Sequence, residues 1–219
     1  MKICGIDEAG RGSVIGPMVV AGILIDERGA WRLEDLGVKD SKKLTPEKRF
    51  KLSKEIKKIA ESVKLVVVDA ETVDKSTKRR GAEGLNKLEA EIFSQIINYL
   101  NPDIAYIDLP SRDRGNFESM IRDMLKTECQ LVLEHKADEK YPVVSAASIL
   151  AKAKRDELVK ELKSALGDFG SGYPSDPKTR DFLRSSALRG KIDGKIIRLS
   201  WRTLDRVLQR RLEEFGVQD

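Results

Sequence analysis

The sequence predicts an α/β domain built on a mixed β-sheet, and three patterns support this fold class. Short apolar runs rich in β-branched residues recur along the first part of the chain. Most of these runs are separated by segments that carry apolar residues at helical spacing, which favours parallel strands. The last part of the chain shows helical patterns only. We therefore expect a main domain over residues 1–168 and a helical extension over 169–219.

The first two strands are expected at residues 3–6 and 18–25. The segment between them, residues 10–17, is rich in glycine and ends in proline, as turns often are. It is too short to hold a crossover helix, so the two strands should pair antiparallel. This pair makes the predicted sheet mixed.

The remaining elements follow from periodicity and from helix-capping residues. Pro46 suits the first position of a helix, with Thr45 as its N-cap. Further strands are expected at 63–68, 104–107 and 129–133. Further helices are expected at 85–100, 117–125, 143–166, 176–188 and 202–215.

Composition narrows the class of protein. The net charge of +5 and the pI near 9.1 suit a polyanionic partner, but also a merely soluble surface of mixed charge. Cys4 and Cys129 form no CxxC motif and have no histidine-rich neighbours, which argues against a zinc site. No apolar run approaches the ~18 residues of a membrane span. We expect a cytoplasmic monomer without a signal peptide or a membrane partner.

Four carboxylates stand where predicted strands end. Asp7 and Glu8 end the first strand, Asp108 ends the fourth, and Asp138 follows the fifth. Strand ends of an α/β sheet converge at one edge, so these residues can meet there. Carboxylates without histidine or thiolate partners prefer hard cations such as Mg²⁺ or Mn²⁺. Two such ions about 4 Å apart can activate water and stabilise the leaving oxygen in phosphodiester cleavage.

This interpretation meets one geometric difficulty and one alternative. Adjacent residues of a strand point to opposite faces, so Asp7 and Glu8 share a metal only if the strand ends or twists between them. Each acid taken alone could instead cap a helix or face water. The four together favour a functional site.

Five short blocks of sequence stand out along the chain. They are GIDEAGRG at 5–12 followed by GP at 16–17, DSKKL at 40–44, ID at 107–108, AD at 137–138 running into SAASI at 145–149, and GYP at 172–174. In this order they resemble type 2 ribonucleases H, most closely their archaeal branch. The resemblance spans nearly the whole chain. It implies a ribonuclease H-like fold: a five-stranded mixed sheet flanked by helices, with a helical C-terminal extension.

The resemblance also implies the roles of particular residues. It assigns a two-metal site, with Mg²⁺ or Mn²⁺, to Asp7, Glu8, Asp108 and Asp138. The expected substrate contacts are Gly10, Arg11 and Gly12 at the ribose 2′-hydroxyl, Tyr173 at the sugar past the RNA–DNA junction, Lys42 and Lys43 at phosphate, and Ser145. Glycine lets a backbone approach a ligand closely, and the 2′-hydroxyl distinguishes RNA from DNA.

The implied activity is that of an endoribonuclease on two substrates. These are the RNA strand of RNA–DNA hybrids and the 5′ side of ribonucleotides embedded in duplex DNA, with 3′-hydroxyl and 5′-phosphate products. Another nuclease of the same fold remains an alternative and would cut all-DNA duplexes. A non-catalytic module would bind nucleic acid with a steep salt dependence. A pure binding role is disfavoured because four carboxylates repel phosphate unless metals neutralise them.

Two other features have weaker interpretations. Gln209, Leu212 and Phe215 resemble the peptide by which replication proteins dock on the sliding clamp, although Gly216 replaces the second aromatic residue. The alternative is an amphipathic end helix that packs on the domain. His135 is the only histidine and suggests a general base, but we expect it to face solvent.

Overall fold

A five-stranded sheet forms the centre of the fold, with helices on both faces. The computed structural model describes residues 1–38, 44–188, 193–202 and 204–205. The strands lie in the order β3-β2-β1-β4-β5. Their bounds are β1 Ile3–Ala9, β2 Met18–Ile25, β3 Ser62–Val68, β4 Ile104–Asp108 and β5 Gln130–Glu134.

The strand pairing confirms the predicted mixed sheet. β1 pairs antiparallel with β2, and β2 pairs antiparallel with β3. β4 pairs parallel with β1, and β5 pairs parallel with β4. β1 is longer than the apolar run suggested, because its pairing with β2 continues to Ala9. Asp7 and Glu8 therefore lie inside the strand and not beyond its end.

The helices include each expected helix that begins before residue 190. Their bounds are α1 Glu27–Asp35, α2 Pro46–Ile59, α3 Ala70–Arg80, α4 Ala82–Leu100, α5 Arg114–Arg122, α6 Ala137–Lys140, α7 Pro142–Leu166 and α8 Pro177–Leu188. The side chain of Thr45 caps α2 as predicted, accepting a hydrogen bond from the Lys48 amide. The expected helix over 202–215 lies largely outside the described residues. No helix in the described ranges is long and apolar enough to cross a membrane.

Helix α7 lies unusually close to the central strand. Gly5 of β1 makes this possible, because a Cβ built at Gly5 would stand 2.3 Å from the Val143 carbonyl oxygen. Ala146 and Ala147 are fully buried in the same cluster of core residues, where their small side chains allow a short distance to the sheet. α7 thereby covers the face of β1 that carries Gly5. The opposite face of the sheet packs against α3, α4 and α5.

The C-terminal extension packs on the connection between β1 and β2. Val14 and Ile15 of this connection share a buried cluster with Phe169, Leu183 and Ile197. An isolated β-bridge also joins Ile15 to Ile197. The described part of the extension is thus held against the connection that leads from β1, with Asp7 and Glu8, to β2.

Candidate active site

Asp7 and Asp108 lie side by side near the carboxyl-terminal ends of the inner strands β1 and β4, which we call the site edge of the sheet. The parallel pairing of β1 with β4 is described as far as Ile6 opposite Ile107, and Asp7 and Asp108 are the next residues. Side chains alternate along a strand, so Asp7 points to the same face as Gly5, the face covered by α7. Both carboxylates therefore lie under the N-terminal half of α7.

Asp138 reaches the same edge through the short helix α6. The amide of Ala137 donates a hydrogen bond to Asp108 Oδ1 at 3.0 Å, which fixes the start of α6 beside the end of β4. Asp138 is the next residue and is 6% exposed. The structure thus brings three of the four predicted acids close to the same edge.

Glu8 approaches from the other face of the sheet. β1 does not end between Asp7 and Glu8, because its pairing with β2 continues to Ala9, and Glu8 lies near Arg11 and Glu89 on the α4 side. Among the described residues, no group of three or more acidic, histidine or cysteine side chains is already arranged around one ion position. The charge of Asp108 nevertheless raises the pKa of both Asp7 and Glu8. The acids therefore share one electrostatic environment, and their side chains would have to turn to share an ion.

The pKa values of Asp7 and Glu8 are strongly raised. Burial, together with the charge of Asp108, raises the pKa of Asp7 to about 7, although Ser148 and Lys152 lower it. Burial and the neighbouring carboxylates of Asp7 and Glu89 raise the pKa of Glu8 well above its usual range.

These properties fit a divalent cation. Glu8 Oε2 is buried and has no hydrogen-bond partner, a costly state for a carboxylate oxygen. A hard cation would relieve the repulsion between the buried carboxylates and would also give the Glu8 oxygen a partner. The site offers only oxygen donors, which suits Mg²⁺ or Mn²⁺.

Arg11 does not point its side chain into solvent. Its Nε donates to Glu89 Oε1 at 2.8 Å and its Nη2 donates to Asn86 Oδ1 at 2.8 Å, which ties the β1–β2 connection to α4. Glu89 is fully buried, and burial raises its pKa to about 6 although Arg11 lowers it. Sequence reasoning missed Glu89. The available signal was an acid placed inside the apolar stripe of α4, next to Leu88.

Gly10 and Tyr173, which lie far apart in the sequence, meet in the structure. The amide of Gly10 donates to the Tyr173 hydroxyl at 3.1 Å. The Gly172 carbonyl accepts hydrogen bonds from the amides of Val14 and Ile15, which seats the 170–173 turn on the β1–β2 connection. The Tyr173 ring lies 4.8 Å from the Arg155 guanidinium. Gly10 and the tyrosine therefore border the same edge as the acids.

A basic groove of about 540 Å³ runs alongside this edge. Its lining includes Arg49, Lys152, Lys160, Lys163 and Tyr173. Arg49 is paired with Asp156, and Lys163 with Asp168 at 3.0 Å. The groove is suited to a chain of phosphates because it carries several cations next to a partly exposed aromatic ring.

The structure corrects the role expected for Ser145. This residue is fully buried, and its hydroxyl donates to the Val38 carbonyl. A hydroxyl without exposed surface cannot reach a bound duplex, so Ser145 is a packing residue of α7. His135 is exposed, in agreement with the expectation that it faces solvent. Lys42 and Lys43, and the tail residues Gln209, Leu212 and Phe215, lie outside the described residues.

Comparison with known proteins gives one consistent result. The profile of the family described as Ribonuclease HII matches residues 4–204. A Ribonuclease HII from Pyrococcus furiosus is 46% identical over 209 residues, which cover 94% of this chain and 91% of the relative.

Solved structures agree with the sequence comparison. The crystal structure of the ribonuclease H2 from Pyrococcus horikoshii OT3 superposes with a TM-score of 0.86 at 42% identity, covering 96% of this chain and 98% of that one. The ribonuclease HII in a PCNA complex from Archaeoglobus fulgidus gives a TM-score of 0.83 at 41% identity, covering 92% and 95%. The chain therefore belongs to the ribonuclease HII family of ribonuclease H enzymes.

Proposed function

We propose that this ribonuclease H, an endonuclease acting on RNA–DNA hybrids, also nicks duplex DNA on the 5′ side of single embedded ribonucleotides. In this proposal Asp7, Glu8, Asp108 and Asp138 hold two divalent metal ions. The observation that carries it is the position of Asp7 and Asp108, each one residue beyond the last described pair of β1 and β4, together with the buried Glu8 oxygen that has no hydrogen-bond partner. The expected products are a 3′-hydroxyl and a 5′-phosphate.

Different residues of the chain would have different roles in the reaction. Mg²⁺ or Mn²⁺, when bound, supplies an activated water and stabilises the leaving oxygen. Asp7 of β1 and Asp108 of β4 would contribute ligands from the α7 face of the sheet, and Glu8 from the α4 face. Lys152, whose charge lowers the pKa of Asp7, would help to keep that carboxylate ionised. The basic groove beyond Tyr173 would take the phosphates of the duplex.

Recognition of the ribonucleotide would rest on the stretch Gly10 to Gly12. Gly12 is exposed, and a Cβ built on it would meet no atom within 4 Å, so the backbone there is open to a ligand. Tyr173 contacts Gly10 and would pack against the sugar that follows the ribonucleotide. A 2′-hydroxyl is the one group at this position that separates RNA from DNA.

The tail would dock on a sliding clamp through Gln209, Leu212 and Phe215. The Archaeoglobus fulgidus relative, 41% identical, was solved in a complex with PCNA, which supports this proposal. A synthetic tail peptide that shows no affinity for an archaeal clamp in calorimetry would count against it.

The decisive experiment uses a labelled DNA duplex that carries one ribonucleotide. With Mg²⁺ we expect a single cut 5′ to the ribonucleotide, and no cut in EDTA or in an all-DNA duplex. Asp7→Asn should lower kcat by more than about 100-fold, since even outer-shell partners of metal ligands contribute 10- to 100-fold. The exposed acid at the end of α5 provides the matched control, so Asp123→Asn should keep full activity.

The outcomes separate the parts of the proposal. Cutting of a long hybrid but not of the embedded ribonucleotide would overturn the second substrate only. Equal cutting of the all-DNA duplex would overturn recognition of the 2′-hydroxyl. Full activity of Asp7→Asn would overturn the proposed metal site.

A further inference from the structure

One buried arginine in the C-terminal extension is bonded to the backbone of the β1–β2 connection. Arg198 has no exposed surface, and its guanidinium donates three hydrogen bonds to main-chain carbonyls. Nη1 donates to the Arg11 oxygen at 2.7 Å, and Nη2 donates to the Gly10 oxygen at 2.8 Å and to the Gly16 oxygen at 3.2 Å. A single side chain thus binds both ends of the connection.

The backbone around Arg198 is held just as firmly. The Arg198 amide donates to the Val14 carbonyl, and the Gly16 amide donates to the Ile196 carbonyl, each at 2.9 Å. The ring of Trp201 lies 5.0 Å from the guanidinium. Two residues after Arg198, the amide of Ser200 donates to Asp74 of α3 at 2.6 Å. The guanidinium therefore has a defined position relative to β1 and is not a loose surface group.

A hydrogen bond to the carbonyl of one residue also fixes the direction of the amide of the next residue. A trans peptide unit is planar, and its C=O and N–H point in opposite directions. Gly10 C=O and Arg11 N–H belong to one such unit, and Arg11 C=O and Gly12 N–H belong to the next. Since Arg198 binds both carbonyls, the amides of Arg11 and Gly12 are directed away from the buried guanidinium. Gly12, at the end of this stretch, is exposed.

We propose that Arg198 is a positioning residue for recognition of the ribonucleotide. It holds the Gly10 and Arg11 carbonyls inward and thereby presents the Arg11 and Gly12 amides to the 2′-hydroxyl. The inference rests on the proposed function of the Gly10–Gly12 stretch. It makes the extension part of the substrate-recognition apparatus, although Arg198 itself does not touch the substrate.

The chemistry of arginine fits this role better than that of other residues. A guanidinium is a rigid planar fork with five donors, so it can bind several carbonyls in a fixed geometry, whereas lysine offers a point charge on a flexible stem. Burial and the nearby charge of Arg155 lower the pKa of Arg198 to about 9, so the group is still protonated at neutral pH. Nε of Arg198 is buried without a partner, which adds to the cost of placing a cation here. An apolar side chain would fill this volume at a lower cost but could not bind the carbonyls.

The test compares binding of two duplexes under turnover conditions. For Arg198→Lys we measure KM for the duplex with one ribonucleotide and the inhibition constant Ki of the all-DNA duplex. We expect KM to rise about 3- to 10-fold, the effect of losing about one neutral hydrogen bond, while Ki stays within about twofold because the phosphate contacts are unchanged. Leu183→Ala is the matched control. It removes packing from the buried cluster of the same extension, so it should lower the melting temperature and leave both constants unchanged.

The possible results support or overturn the inference. A rise of KM toward Ki supports it, whereas a parallel rise of KM and Ki, or no change in either, overturns it. If Arg198→Lys does not fold, Arg198→Gln keeps two donors without a buried charge and is judged by the same ratio. If the wild-type enzyme does not nick the embedded ribonucleotide, the proposed second substrate fails. The ratio is then measured on a long RNA–DNA hybrid, where the inference about Arg198 is decided separately.

Discussion

Gly10 and Gly12 look equivalent in the sequence but differ in their need to be glycine. Gly10 has a φ of +84°, and a Cβ there would lie 2.3 Å from Arg155 Nε and 2.6 Å from the Pro17 oxygen. Gly12 has neither constraint. We expect Gly10→Ala to lower the free energy of unfolding by more than about 1 kcal/mol, and Gly12→Ala to change it by less than about 1 kcal/mol.

Activity should separate the two substitutions in another way. If the Gly12 backbone contacts the ribose, the added methyl group of Gly12→Ala should hold the ribose away from it. This should lower kcat/KM on the embedded ribonucleotide by about 10-fold, as much as one lost hydrogen bond, in a protein of normal stability. Denaturant unfolding and steady-state kinetics on the same preparations measure both effects. A fully active Gly12→Ala enzyme would show that this glycine only forms a turn.

The separation along the chain between two contacting residues decides whether their contact can be predicted from the sequence. Asp7 and Asp108 could be predicted because each follows a recognisable apolar run of a strand, and the topology of a mixed sheet brings the ends of such runs together. The contacts of Glu89 and Arg198 could not be predicted. Their partners, Arg11 in one case and the Gly10 and Arg11 carbonyls in the other, lie far away along the chain, and neither contact leaves a periodic signal.

At the scale of elements, the contact between β1 and α7 positions the site. Gly5 is where the two backbones come closest. Gly5→Ala should lower the free energy of unfolding by about 2–3 kcal/mol, because neither the strand nor the helix can yield without moving the core. It should also shift α7 relative to Asp7 and so reduce activity. The denaturation midpoint at constant m-value reports the stability change.

A second glycine serves as the control for that substitution. Gly115 lies in the first turn of α5, and a Cβ there would meet no atom closer than 3.8 Å. Gly115→Ala should therefore be neutral or slightly stabilising, since alanine favours a helix more than glycine does. If Gly5→Ala and Gly115→Ala lowered the free energy of unfolding by similar amounts, close packing of α7 on β1 would not explain the effect of Gly5→Ala.

Elements with a strong periodicity of apolar residues were predicted, whereas two helices whose main sequence signal is an N-cap residue were not. β2 is a continuous apolar run, and its observed bounds equal the predicted ones. α1 and α3 were missed because neither shows a long apolar stripe. Their signal was instead an aspartate N-cap, Asp26 for α1 and Asp69 for α3. Such caps satisfy free amides locally and say nothing about which face becomes buried.

At the scale of the whole molecule, charge is unevenly distributed. The chain carries a net charge of +5, and several cations line the groove beside the site. The acids of the site are gathered at a buried edge, where they raise one another's pKa. The protein is therefore suited to attract a polyanion along the groove, and in the proposed function the acids would repel it until cations bind.

This arrangement predicts how stability depends on pH and metal. The folded pKa of Asp7 is raised to about 7 and that of Glu89 to about 6, from unfolded values near 4. Between these values the folded state binds more protons than the unfolded state, so the stability that these groups contribute is lost as pH rises. Asp74, whose pKa is lowered, acts in the opposite sense but below about pH 4, outside this window.

Without metal, the melting temperature should therefore fall from about pH 5 to about pH 8. Mg²⁺ binds the ionised carboxylates, so it should raise the melting temperature clearly at the higher pH and little at the lower one. Thermal unfolding in EDTA and in saturating Mg²⁺ across this range measures the difference. Asp7→Asn should reduce both the slope in EDTA and the gain from Mg²⁺. If the gain from metal were equal at both ends of the range, binding would not depend on ionising these buried acids, and the proposed metal ligands would have to be sought elsewhere.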